Sequence, residues 1–127
     1  MNLLYMKPRY LIVLILCSSC YQIERNCSDF KTGTFKSTIE ISDKIYTSTF
    51  IRTEDLQIET FGAKTDSATV RWINDCEMVF KTINPKSIAE RKDIHLKILT
   101  TTDSTYIFEY SYVGESLKQK GVAKRID

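Results

Sequence analysis

Tyr106-Ile107-Phe108-Glu109-Tyr110-Ser111-Tyr112 is the stretch that decides the fold. Four aromatic residues occupy every second position, separated by Ile107, Glu109 and Ser111. A β-strand sends successive side chains to opposite faces, so this period of two puts all four rings on one face. A helix would scatter them around its axis. Just upstream, Ile94, Leu96 and Ile98 alternate with His95 and Lys97, and Asp103-Ser104 supplies the turn between the two segments.

The pattern extends in both directions. Phe35, Ile39 and Ile41 alternate with Thr34, Lys36, Thr38 and Glu40, and Ser42-Asp43-Lys44 makes a turn. Residues 45–52 are rich in β-branched and aromatic side chains, and Glu54-Asp55 interrupts them. Residues 56–61 form another short strand, closed by residues 62–66. Ala68, Val70 and Trp72 alternate with Thr69 and Arg71; Asn74-Asp75 breaks the run, and Met78 and Phe80 continue the apolar face. Asn84-Pro85 stops the sheet pattern. Ser87-Ile88-Ala89-Glu90 then spells a capping box, enough for one helical turn. Gly114-Glu115-Ser116 leads into a last strand near residues 117–126.

The reading is an all-β chain of about eight strands joined by short turns, which implies an antiparallel up-and-down meander. Such a meander curls into a barrel or half-barrel when its first and last strands meet, which removes exposed edges. A two-sheet sandwich satisfies the same periodicity. Phe35, Ile39, Trp72, Phe108 and Tyr110 are expected to face the interior. Phe35, Trp72, Tyr106, Phe108 and Tyr110 are the candidates for a core or for the wall of an apolar ligand cavity.

The first twenty residues obey different rules. Lys7 and Arg9 precede an apolar run over residues 10–16, and Cys17-Ser18-Ser19-Cys20 follows. Pro8 and Arg9 leave too few apolar residues for a membrane span, which needs about 20. A cationic start, a short apolar core and small residues before a cleavage point make an export signal. A cysteine placed directly after two serines is a lipidation candidate. The expected organisation is a signal over residues 1–19, a tether lipidated at Cys20 over residues 20–31, and one β domain over residues 32–127. The lipid would hold the chain on a membrane outside the cytoplasm, each buried methylene contributing about 0.8 kcal/mol.

Export also changes the charge. The whole chain carries a net charge of +2, but the signal removes two of its 18 basic residues and leaves as many as its 16 acidic ones. A neutral mature domain argues against a nucleic-acid partner. Lys118, Lys120, Lys124 and Arg125 are expected to be a solvated face of the last strand.

With Cys17 discarded and Cys20 lipidated, Cys27 and Cys76 remain. Two cysteines in an exported chain are expected to form one disulfide, which would close the tether onto the domain. No metal is expected, because two thiols and the distant His95 lack ligand spacing. No catalytic residue and no cofactor are expected either. His95 is the only histidine, and no nucleotide, zinc-protease or nucleophile-elbow motif is present. Asp66-Ser67-Ala68 and Asp103-Ser104-Thr105 resemble a short O-glycosylation sequon and are expected in turns.

Residues 16–20, Leu16-Cys17-Ser18-Ser19-Cys20, resemble a bacterial lipoprotein lipobox of the looser Bacteroidetes type. Gly33-Thr34-Phe35 stands where the lipocalin superfamily often has Gly-x-Trp, with phenylalanine in place of tryptophan. The segments running from Arg25 to Phe35 and from Arg71 to Glu77 are similar to those of small Bacteroidetes-type lipoproteins of unknown function. Chains of this look sometimes carry a DNA topoisomerase IV label. A short, exported chain of neutral mature charge does not support that activity. The resemblance implies a lipocalin-like barrel in the cell envelope, expected on the periplasmic face of the outer membrane, with display on the cell surface as the alternative. Two functions follow as expectations: a non-catalytic interaction module with an envelope protein as partner, or a carrier of a small apolar ligand.

Overall fold

The computed structural model describes residues 25–127. Eight antiparallel strands run β1 (Gly33–Ile41), β2 (Lys44–Arg52), β3 (Leu56–Phe61), β4 (Lys64–Asn74), β5 (Glu77–Thr82), β6 (Ile94–Thr101), β7 (Thr105–Tyr112) and β8 (Gln119–Arg125). Each pairs with the next in sequence, and β8 pairs back onto β1 from Phe35↔Arg125 to Ile39↔Gly121. The meander is therefore a closed barrel, and the sandwich is set aside. The expected Cys20 lipidation site and the export signal lie outside the described residues.

Closure depends on a glycine. A Cβ at Gly121 would come within 2.6 Å of the Phe108 ring and 2.9 Å of Ile39, so only glycine lets β8 pass this close to its neighbours. The turns follow local chemistry as well. Ser42 and Asp43 join β1 to β2 with φ of 50° and 64°, the left-handed conformation that two-residue hairpins require. After Thr82 the chain leaves the sheet, and Ala89–Arg91 forms one 3-10 turn. The capping box works as spelled, in part: Ser87 Oγ accepts from the Glu90 amide, while the Glu90 carboxylate reaches back to the Lys86 amide.

One end of the barrel is plugged. The 3-10 turn Cys27–Phe30 packs beneath the strands, with Cys27 and Phe30 both buried. Phe30 stands edge-on to Tyr106, with ring centres 5.2 Å apart, and Phe35 stacks on Phe50 at 5.1 Å. Together with Met78, Ile98 and Ala123 these residues form the floor of the core. Cys27 is bonded to Cys76 at the β4–β5 turn, with Cα atoms 5.1 Å apart. The expected disulfide is present.

Arg125 seals the same end, against the expectation that it belongs to a solvated basic face. Strand alternation turns it inward beside Gly121 and Ala123, while Lys120, Val122 and Lys124 face out. Its guanidinium lies 5.0 Å from the Phe35 ring centre and 5.5 Å from that of Phe30. It donates to the carbonyls of Asp29 and Thr32. Gly33, at φ 137°, leaves the room this needs, since a Cβ there would run into the Arg125 guanidinium.

Candidate functional site

Above this floor the barrel is not filled. A cavity of about 310 Å³ runs from Arg52 and Tyr106 up to the 3-10 turn Ala89–Arg91 at the opposite end. That size lies at the small end of the ~300–1,000 Å³ usual for small-molecule sites. Its walls combine Ile39, Phe50, Phe80, Leu96, Phe108 and Tyr110 with an unusual share of polar groups.

Three of the polar groups, Arg52, Gln57 and Glu59, come from β2 and β3. Phe50 points inward, so two residues on Arg52 points inward as well. Arg52 pairs with Gln57 and Phe50 with Glu59, which continues the same inward row across β3. Ile51 and Ile58 point outward, with 52% and 37% of their surface exposed. Along β3 the usual alternation is inverted, with Gln57 and Glu59 inside and Ile58 outside.

Arg52 is 2% exposed and held on three sides. Its Nε donates to Gln57 Oε1 at 2.9 Å, Nη1 to the Phe30 carbonyl at 3.0 Å and Nη2 to the Tyr106 hydroxyl at 2.9 Å. Five rings surround it, from Phe50 at 4.9 Å to Trp72 and Phe80 at 5.9 Å. Burial raises the Tyr106 hydroxyl above its ordinary pKa despite the cation beside it, so it stays protonated.

Glu59 is the inward acid of β3. Ser48 Oγ donates to its Oε2 at 3.0 Å, and Asp66 faces it across the β3–β4 pair. Burial pushes the Glu59 carboxyl above the usual carboxylate range, Asp66 adds to this, and Ser48 and Arg52 oppose it. The folded state therefore holds a proton that the unfolded chain has already released, and stability falls as pH rises from the unfolded pKa to the higher folded one. Glu59→Gln should melt at a higher temperature than wild type at neutral pH and lose that advantage about a pH unit or more below the ordinary glutamate pKa of about 4.3, where the wild-type carboxyl is also neutral in both states. A gap that is the same at both pH values would contradict the assignment. At the mouth, Lys64 bridges Asp66 at 3.4 Å and Glu90 at 3.2 Å, tying the β3–β4 hairpin to the 3-10 turn.

The wall candidates divide. Tyr106, Phe108 and Tyr110 line the cavity, and the neighbouring Tyr112 joins them. Phe35 lies below it in the floor, with no exposed surface. Trp72 packs against the core but is only half-buried, so the full cost of removing a buried tryptophan does not apply to it. Its Nε1 is buried without an acceptor among the described residues. His95 lies 3.5 Å from Glu77 Oε1, and neither residue lines the cavity. Asp66-Ser67-Ala68, expected in a turn, lies within β4.

Arg52, Gln57 and Glu59 were not among the residues singled out from the sequence. The available signal was Arg52 two places after Phe50, and Gln57 and Glu59 alternating with Leu56 and Ile58. Among the described residues no group of three or more His, Cys, Asp or Glu side chains is placed to hold a metal ion. No protein-family model matches this chain, and no curated protein matches it.

Proposed function

We propose that this chain is a lipocalin-like lipoprotein, anchored to the envelope through Cys20, whose barrel binds a small molecule without catalysing a reaction on it. The observation that carries the reading is the cavity of about 310 Å³, lined by apolar rings and a few placed polar groups. A barrel serving only as a scaffold for a protein partner gains nothing from leaving that volume unfilled, because unfilled core volume costs stability. An envelope protein as partner is the second reading, favoured by the outward, cross-strand pair Ile51 and Ile58. The floor is closed by the Cys27–Phe30 plug, so a ligand would enter past Lys64 and Glu90.

The test is to purify the full chain from its own membranes and identify extracted small molecules by mass spectrometry. A stoichiometric compound is expected in the wild type and absent from Ala68→Phe, which fills the cavity from β4. A wild-type preparation that carries no compound and admits no apolar dye would refute the reading.

The anchor is tested separately. Cells fed a fatty-acid probe should label the wild type and not Cys20→Ala, and equal labelling of both would remove Cys20 from the proposal.

A further inference from the structure

The cavity has a charged floor, and among the described residues the charge makes no direct ion pair. Buried cations are ordinarily paired with a carboxylate, because an isolated charge in an apolar medium is costly. The acceptors of Arg52 are instead an amide oxygen, a backbone carbonyl and a phenol, all uncharged. Among the described residues no carboxylate oxygen lies within 4.0 Å of its nitrogens. The nearby Glu59 is engaged by Ser48, and its own burial favours the neutral form.

A guanidinium carries five N–H donors, and Arg52 spends three. One hydrogen remains on each terminal nitrogen, so Arg52 keeps donor capacity for an anion. Tyr106 accepts from Arg52 and still has its own proton to donate. The buried Ser37 hydroxyl lines the same cavity. Above these donors the walls are Ile39, Phe80, Leu96 and Phe108. The acids Glu59, Asp66 and Glu90 line the cavity from β3, β4 and the mouth turn, and Lys92, paired with Glu115, lines it as well.

Resting on the small-molecule reading above, we infer that the ligand is a small amphipathic carboxylic acid, bound acid end first, its carboxylate on Arg52 and its apolar part along the ring-lined wall. The anion supplies the direct ion pair that Arg52 lacks, and the rings exclude the water that would otherwise solvate it.

Chain-matched probes separate this from simple apolar binding. Octanoate, octanol and octylammonium are titrated at pH 7.5 into the ligand-stripped full chain in lipid nanodiscs. Trp72 is the chain's only tryptophan, and its ring centre lies 5.9 Å from the Arg52 guanidinium, so its fluorescence reports the floor. Ala68→Phe gives the background from partition into lipid. Octanoate is expected to bind at least ~10-fold more tightly than octanol, and Arg52→Gln to abolish that preference while keeping octanol binding. Should Arg52→Gln fail to fold, the wild-type series decides alone. Octanol matching octanoate overturns the acid inference and leaves the small-molecule reading standing. Octylammonium binding best also overturns it, and assigns the charge preference to Glu59 and Asp66. No probe binding above the Ala68→Phe background overturns both.

Discussion

Phe35→Ala should cost about 3–5 kcal/mol, the range for removing a large ring from a core that cannot collapse around the space. Phe35 has no exposed surface, and its ring touches three others: Phe30 at 6.2 Å, Phe50 at 5.1 Å and Tyr106 at 5.8 Å between centres. The guanidiniums of Arg52 and Arg125 lie 5.5 Å and 5.0 Å from its ring centre. Removing the ring therefore strips apolar packing from two cations and from the plug together. For a domain whose whole stability is on the order of 5–15 kcal/mol, that is a large fraction. Urea unfolding followed by far-UV circular dichroism measures it. A loss below about 1 kcal/mol would mean that the plug does not depend on Phe35.

The strand pattern is legible wherever the interior is apolar. In β1, β6 and β7 most inward residues are hydrophobic and most outward ones polar, the exceptions including the buried Ser37 and the exposed Ile107, so a period of two still reads the burial. Along β3 the same rule fails, because Gln57 and Glu59 face in and Ile58 faces out. Hydrophobicity then points to the wrong face, and only register corrects it: Arg52 opposite Gln57 and Phe50 opposite Glu59 put the polar row beside known core residues. Closure is illegible for a related reason. The β1–β8 pairing joins residues some 85 positions apart in sequence, such as Thr38 and Val122, and alternation within each strand is the same in a sandwich.

The site is harder to read than the fold because it is assembled from distant positions. Arg52 and Gln57 are five residues apart, but the Arg52 bond to Tyr106 spans 54 and the bond to the Phe30 carbonyl spans 22. Tyr106 itself was legible as part of an aromatic row, which assigns it to the wall and says nothing of its hydroxyl. Arg125 shows the opposite error. Its neighbours Lys118, Lys120 and Lys124 suggest a basic surface, yet one step of strand alternation carries it inward to the floor. Composition cannot separate an inward arginine from an outward one. The partner rings and carbonyls that make burial tolerable are supplied by the tertiary fold.

Loss of the Cys27–Cys76 bond should cost about as much as loss of Phe35, and its effect should be concentrated at the floor. The bond joins residues 49 positions apart, and constraining a loop of that length stabilises by about 4 kcal/mol in the chain-entropy account. The other polar ties on the same arm are single hydrogen bonds and one exposed ion pair: Arg25 donates to the Ile98 carbonyl at 2.9 Å, the Asn26 amide to Thr101 Oγ1 at 2.9 Å, Arg52 to the Phe30 carbonyl, Arg125 to the carbonyls of Asp29 and Thr32, and Lys31 to Asp75. Only Cys27 and Phe30 of the 3-10 turn are buried. With the bond gone, the turn is held by one ring and a few hydrogen bonds, and the Phe30 carbonyl no longer stays fixed under Arg52. Cys27→Ser combined with Cys76→Ser should therefore lower the urea midpoint by roughly 2 M, at an m-value near 2 kcal/mol/M for a chain of this size. It should also alter the fluorescence of Trp72, whose ring sits between the cations of Lys31 and Arg52 at 5.3 Å and 5.9 Å. An unchanged midpoint would mean that Phe30 alone secures the plug. An unchanged tryptophan signal beside a lowered midpoint would place the lost stability elsewhere than the barrel floor.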